Sequence, residues 1–243
     1  MIEELNIPEI EIEGLDGIEI DIPLFENGFE NRYKRVAKTG GEHPELLKYS
    51  NAEKLAKAIQ LDKGTRYDCI VSGNFIWGDF IEAFFTVNEA QSRSVTISTL
   101  SMDQNNVDSL KNLMVWGHVD ELNLIISGYF FAHERRALIP YIYQELDIDN
   151  RFQLAVADVH TKICLFETIG GKKIIIHGSS NLRSSGSIEQ FTIEENPDLY
   201  DFYKEYHDRI IEKYKMINKD VKRHKRLRGK ALWEAINGRD ENQ

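Results

Sequence analysis

The chain of 243 residues has room for one large domain or two small ones, and its 42% hydrophobic and 29% charged residues exclude wholesale disorder. A formal net charge of −10 counts against general electrostatic adhesion to nucleic acid or to an anionic membrane. The longest apolar runs, such as "LNLIISGYFFA", fall well short of the ~18–20 residues a membrane-spanning helix needs, and the acidic start "MIEELNIPEIEIEG" has no basic segment before an apolar core, which speaks against a secretory signal. Cys69 and Cys164 both sit in apolar, strand-like runs and read as reduced, buried thiols, so the expected compartment is the cytoplasm.

In chain order, residues 1–24 alternate isoleucine with acids and read as an edge strand or extended arm. Residues 26–43 are polar and irregular and read as loop. "YSNAEKLAKAIQ" offers Ser50 as a helix N-cap with Glu53 three residues on, a capping box. "YDCIVSGNF" predicts a buried strand ending at Ser72 and Gly73, "WGDFIEAFFTV" a helix, and "SVTISTL" a strand. "DQNNVDSLKNLMVWG" predicts a helix capped by Asp103 and ending at Gly117, and "DELNLIIS" another strand. "HERRALIPYIYQEL" has helical spacing, interrupted or kinked at Pro140, and "RFQLAVAD" is again strand-like. This alternation is the pattern of an α/β sheet with parallel strands flanked by helices.

After residue 158 the texture changes. "HTKICLFET" and "KKIIIHGS" read as strands joined by a glycine hairpin at Gly170-Gly171, and "IEQFTIE" as one more strand. "NPDLYDFYKEYHDRIIEKYKMI" predicts a long amphipathic helix, with Pro197 in its first turn and Leu199, Phe202, Tyr203, Tyr206 and Ile210 on its apolar stripe. Residues 219–230, "KDVKRHKRLRGK", carry seven Lys/Arg against one Asp; taking that +6 from −10 leaves about −16 for the rest. Such a run suits phosphate contacts and equally suits a solvated helix end. No repeat, low-complexity stretch or domain break stands out. The expected organisation is an arm over 1–43, one domain over 44–218 and a basic extension over 219–243.

The chemistry-bearing residues cluster late in the chain. A strand repeats every two residues, so His160 and Lys162 in "DVHTKICLFE" point to one face, pairing an imidazole with a fixed positive charge. A small-residue turn, Gly178-Ser179-Ser180-Asn181, follows, and then Glu189 at the head of the next strand. These types suit a phosphodiester. Lys162 meets the anion and the amide of Asn181 adds neutral donors. Neutral imidazole is a good nucleophile near pH 7, so attack by His160 would give a phosphohistidine and split one hard step into two. A carboxylate such as Glu189 suits the task of fixing the imidazole tautomer, while Gly178 and Ser179 allow the backbone close to the phosphate. Lysine and histidine supply the electrostatics, so no metal ion or other cofactor is called for.

His160-x-Lys162-x4-Glu167 followed by Gly178-Ser179-Ser180-Asn181, with Glu189 beyond, resembles the HxKx4D…GSxN signature of the phospholipase D superfamily, most closely its small bacterial endonucleases with one motif per chain. The match covers roughly residues 150–215. It departs in two places: Glu167 stands where the pattern has aspartate, and the stretch from Glu167 to Gly178 is longer. The resemblance implies a mixed sheet between helices and a structural rather than substrate-touching role for Glu167. It also implies a homodimer in which one His160 attacks and the other protonates the leaving oxygen. The small size and single motif favour nucleic acid, DNA ahead of RNA, over lipid, with no membrane partner. Two other readings stay open: a non-catalytic module that binds nucleic acid or protein, and a lipid or small-molecule phosphodiesterase.

Other residues read as bland. His118 and His133 are isolated. "HERR" at 133–136 reads as a solvated helix face, with a phosphate-holding helix start as the alternative. "SGNF" at 72–75 sits where ligands collect in α/β sheets. Trp77, Trp116, Phe84-Phe85 and Phe130-Phe131 read as core. His177, just before the turn, is a pocket-lining candidate.

Overall fold

The structure is a computed structural model and describes residues 33–35, 37–39, 46–48, 52–62, 64–71, 75–183 and 187–217. The acidic arm, Ser50 of the capping box, Ser72–Asn74 and the basic run after 217 lie outside them. All described residues belong to one unit, Asn31–Gln243.

The first described elements are short strands, β1 (Tyr33–Arg35), β2 (Ala37–Thr39) and β3 (Leu46–Lys48), and β1 pairs antiparallel with β3. The expected loop over 26–43 therefore holds two strands; each spans three residues, too few for a period-2 pattern to stand out of a polar sequence. Next come α1 (Ala52–Ala58), β4 (Arg66–Val71), α2 (Trp77–Val87), β5 (Ser92–Thr99), α3 (Gln104–Val115) and β6 (Val119–Ser127). Asp103 caps α3 as its sequence requires: its carboxylate accepts from the Asn106 backbone, while the Asn106 side chain accepts from the Asp103 backbone.

The expected kinked helix is two helices, α4 (Gly128–Glu134) and α5 (Leu138–Leu146). The break falls at 135–137, not at Pro140. Pro140 occupies the first turn of α5, where a missing N–H costs nothing because that donor has no partner within a helix. The order ends with β7 (Phe152–Ala157), β8 (Ile163–Thr168), β9 (Lys173–Gly178), β10 (Glu189–Glu195) and α6 (Pro197–Tyr214).

Eight strands form one mixed sheet in the order β2-β4-β10-β9-β8-β5-β6-β7. The β/α alternation gives the parallel run β5-β6-β7. β4 is not next to β5, because the hairpin strands β8, β9 and β10 insert between them, each antiparallel to its neighbours. Gly171, at φ +83° in the turn from β8 to β9, takes the left-handed conformation that Gly170-Gly171 signalled.

Helices α1, α2, α3 and α5 cover one face of the sheet over a core that includes Leu55, Phe80, Phe85, Leu110, Ile142, Phe166 and Phe191. Phe85 and Phe166 meet at 4.6 Å between ring centroids, and Phe80 and Phe191 at 4.9 Å, each pair adding about 0.5–1.5 kcal/mol to its burial. Trp77, Phe84, Phe85 and Phe130 are core as expected; Trp116 is not, standing 57% exposed at the end of α3. Both cysteines are buried, and burial pushes the Cys164 thiol pKa up.

Among the described helices, α6 alone covers the other face. Its buried residues are Tyr200, His207 and Ile210, whereas Phe202 and Tyr206, expected on the apolar stripe, are 65% and 45% exposed. A single helix on a broad sheet buries only a narrow stripe. No described helix is long and apolar enough to cross a membrane.

Candidate active site

Strand direction places the site. Because β8 and β10 run opposite to β5, β6, β7 and β9, the start of β8, the end of β9 and the start of β10 share the sheet edge where the parallel strands end. His160 and Lys162 precede β8, Ser179–Asn181 follow β9, and Glu189 opens β10. Residues 16 apart in sequence thus meet: the Gly178 amide donates to the Lys162 carbonyl at 3.2 Å. This is also the edge at which open α/β sheets bind ligands.

His160 and Lys162 lie just before the strand rather than within it. The segment still alternates. Val159 is buried with Ile125, Ala155 and Ile210 beneath α6, and the Thr161 hydroxyl donates inward to Ser98 Oγ at 2.9 Å. His160 and Lys162 share the other side, with Lys162 Nζ 3.2 Å from His160 Nδ1 and donating to the His160 carbonyl at 3.0 Å.

Lys162 is 8% exposed while His160 is open to solvent. Burial lowers the Lys162 pKa, and the charge of Glu189 opposes that shift. A charged ammonium has only donors, so His160 Nδ1 accepts and the proton of the neutral ring sits on Nε2. An arriving anion competes for Nζ and would release the imidazole to change tautomer.

The turn is held from behind. The buried Leu182 donates its amide to Thr99 Oγ1 and accepts from the Gly78 amide at the start of α2, both at 3.3 Å. Ser180 is buried, and neither its Oγ nor Asn181 Oδ1 has a hydrogen-bond partner among the described residues. A buried polar atom left unpaired costs about 1–3 kcal/mol; the Ser180 hydroxyl can donate to an anion, whereas Asn181 Oδ1 can only accept.

Two expectations change, those for Glu189 and Gly178, and Glu167 lies away from the site. Glu189 does not contact His160; it accepts from the Ser179 hydroxyl, whose oxygen in turn accepts from the Gln190 amide. Gly178 is required by the sheet rather than by a ligand: a Cβ there would lie 2.2 Å from the Gln190 carbonyl and 2.6 Å from Phe191 Cα. Glu167 is exposed at the far end of β8, about 17 Å along the strand from Lys162, and its charge acts on Lys173 and Tyr200.

The remaining candidates fall outside the edge. His177 turns to the α6 face, against Glu194 at 3.3 Å and the Tyr203 ring. His118 bonds the Ala90 carbonyl, His133 stacks on Tyr129, and "HERR" lies at the end of α4 rather than at a helix start.

Sequence reasoning missed the support: Ser98, Thr99, Leu182 and His207. His207 had a signal, since Tyr200, Tyr203, His207 and Ile210 share one helical face. Its imidazole is fully buried, and burial lowers its pKa below the ordinary ~6.5. The folded state therefore binds fewer protons than the unfolded state through the region of that ordinary pKa and below it, so stability falls as pH drops there. Urea midpoints at pH 7 and pH 5 should differ more in the wild type than in His207→Gln; equal differences would show that another group carries the dependence.

No family model and no curated protein matches the chain. Several solved structures are similar to it. NucT from Helicobacter pylori is 14% identical with a TM-score of 0.41, over 51% of this chain and 81% of that one. Nuc from Salmonella typhimurium, described as a phospholipase D family member, is 14% identical with a TM-score of 0.39, over 49% and 78%. Phosphatidylserine synthase from Haemophilus influenzae is 12% identical with a TM-score of 0.45, over 64% and 40%. These three are phospholipase D superfamily members. At such identities and scores the weight of a functional reading rests on the site residues themselves.

Proposed function

We propose that the protein is a metal-independent phosphodiesterase of the phospholipase D type, most simply a DNA nuclease working through a phosphohistidine. The contact of the buried Lys162 ammonium with His160, beside a Ser180 hydroxyl without a partner among the described residues, carries the reading. The substrate phosphate takes over Lys162 Nζ and accepts from Ser180 and from the amide of Asn181. His160, freed at Nδ1, presents the Nε2 lone pair. The Nε2–P bond forms as the bond from phosphorus to the leaving oxygen breaks.

The leaving oxygen needs a proton, and each chain carries one such histidine motif. A homodimer would supply the second His160 from the opposite side of the phosphate. Water then attacks the phosphohistidine, with the second imidazole as base. Strand β2 (Ala37–Thr39) belongs to the main sheet, so the domain begins before residue 44; the basic run 219–230 supplies the phosphate contacts that the net charge of −10 makes scarce elsewhere.

Plasmid and single-stranded DNA incubated in EDTA test the reading. Cleavage of either, by a protein that sediments as a dimer, is the expected result. Cleavage seen only after a divalent metal is added would overturn the mechanism. Hydrolysis of phospholipid headgroups with DNA untouched would keep the chemistry and change the substrate, and no hydrolysis of any phosphodiester would favour a binding module.

A further inference from the structure

Helix α6 is joined to the catalytic segment by a buried line of hydrogen bonds whose proton positions are fixed one after another. His207 Nδ1 lies 2.6 Å from the Tyr203 carbonyl, which can only accept, so Nδ1 carries a proton. In a neutral ring Nε2 is then an acceptor, 3.1 Å from Ser98 Oγ, which must donate to it. With its own proton committed to His207, Ser98 Oγ receives the Thr161 hydroxyl at 2.9 Å. Both His207 and Ser98 are fully buried, and burial lowers the imidazole pKa, keeping the ring neutral.

Thr161 is the residue between His160 and Lys162. Its neighbour Val159 packs against Ile210, three residues past His207 on α6. The inward residues 159 and 161 are therefore both gripped by one helix, one by apolar contact and one by hydrogen bonds, which leaves 160 and 162 facing the site. Apolar contact tolerates sliding, whereas a hydrogen-bond chain fixes height and direction.

We propose that His207 is a positioning residue, which as the Nδ1-protonated neutral imidazole sets the place of His160 and Lys162 through Ser98 and Thr161. The role rests on the reading of His160 as the nucleophile, but the placement itself is measurable without any activity.

The test uses ¹⁵N-histidine NMR of the full chain at pH 7 with three variants, Ser98→Ala, Thr161→Val and His207→Gln. The wild type should show His207 as the Nδ1–H tautomer and a single sharp His160 resonance. Thr161→Val, which is nearly isosteric and leaves the His207–Ser98 bond in place, should shift or broaden His160 while the His207 tautomer holds. Against bis(p-nitrophenyl) phosphate in EDTA the same variant should lose up to about 100-fold in kcat with KM little changed, because displacement by about 1 Å is enough. A merely structural role would lower thermal stability and leave the folded variant's kcat and His160 resonance alone.

An Nε2–H tautomer at His207, or an unmoved His160 resonance in both Ser98→Ala and Thr161→Val, overturns the proposal. A wild type that shows the tautomer and the His160 response but cleaves nothing sinks the reading of His160 as nucleophile and leaves the positioning network standing.

Discussion

His160→Ala should abolish phosphodiester cleavage, by at least about 10⁴-fold, and leave the protein folded. The fold survives because His160 is solvent-exposed and its side chain bonds only Lys162 among the described residues. Under the proposed mechanism the loss is large, because no other described group at the edge would replace an imidazole that attacks and, in a second copy, donates a proton. Acid quenching during turnover should trap an acid-labile phosphoprotein in the wild type and none in the variant. The size of the loss separates the mechanisms. A drop of only tenfold with an unchanged covalent adduct would mean that another residue attacks.

Gly178→Ala should destabilise the protein by about 3 kcal/mol or more, among the larger single-site effects available. The added methyl would lie 2.2 Å from the Gln190 carbonyl oxygen and 2.6 Å from Phe191 Cα, so backbone rather than a flexible side chain must yield. Strands β9 and β10 would separate where Phe191 pairs with Gly178, and the Ser179–Asn181 turn would move with them. Urea denaturation measures the first effect, and activity per folded molecule the second. A loss under about 1 kcal/mol would show that this register is softer than the close approach implies.

Much of the fold was legible in the sequence because hydrophobic period and cap chemistry are local. The helix over Trp77–Val87, the Asp103 cap, the parallel strands and the glycine hairpin each follow from residues within one element. The two-residue period that puts His160 and Lys162 on one side survives even though the segment is extended lead-in rather than strand. Trp116 and Phe202 were misplaced because periodicity says which residues share a face and not which faces find a partner. Pro140 was misread because its effect depends on distance from a helix start that falls between two short helices.

The residue types of the site were set by the sequence: an imidazole, an ammonium, a small-residue turn and a carboxylate, in an order that means little until the chain is folded. Only the tertiary structure decided their roles. It inserted the hairpin strands between β4 and β5, so that antiparallel reversal brings the starts of β8 and β10 and the end of β9 to one edge. It gave Glu189 to Ser179, gave Gly178 to the neighbouring strand, and sent Glu167 to the far end of the sheet. It buried His207 within reach of Ser98, 109 residues away in sequence. Contacts of that span depend on how strands order themselves in a sheet, and strand order is fixed by the packing of whole elements rather than by any local run of residues.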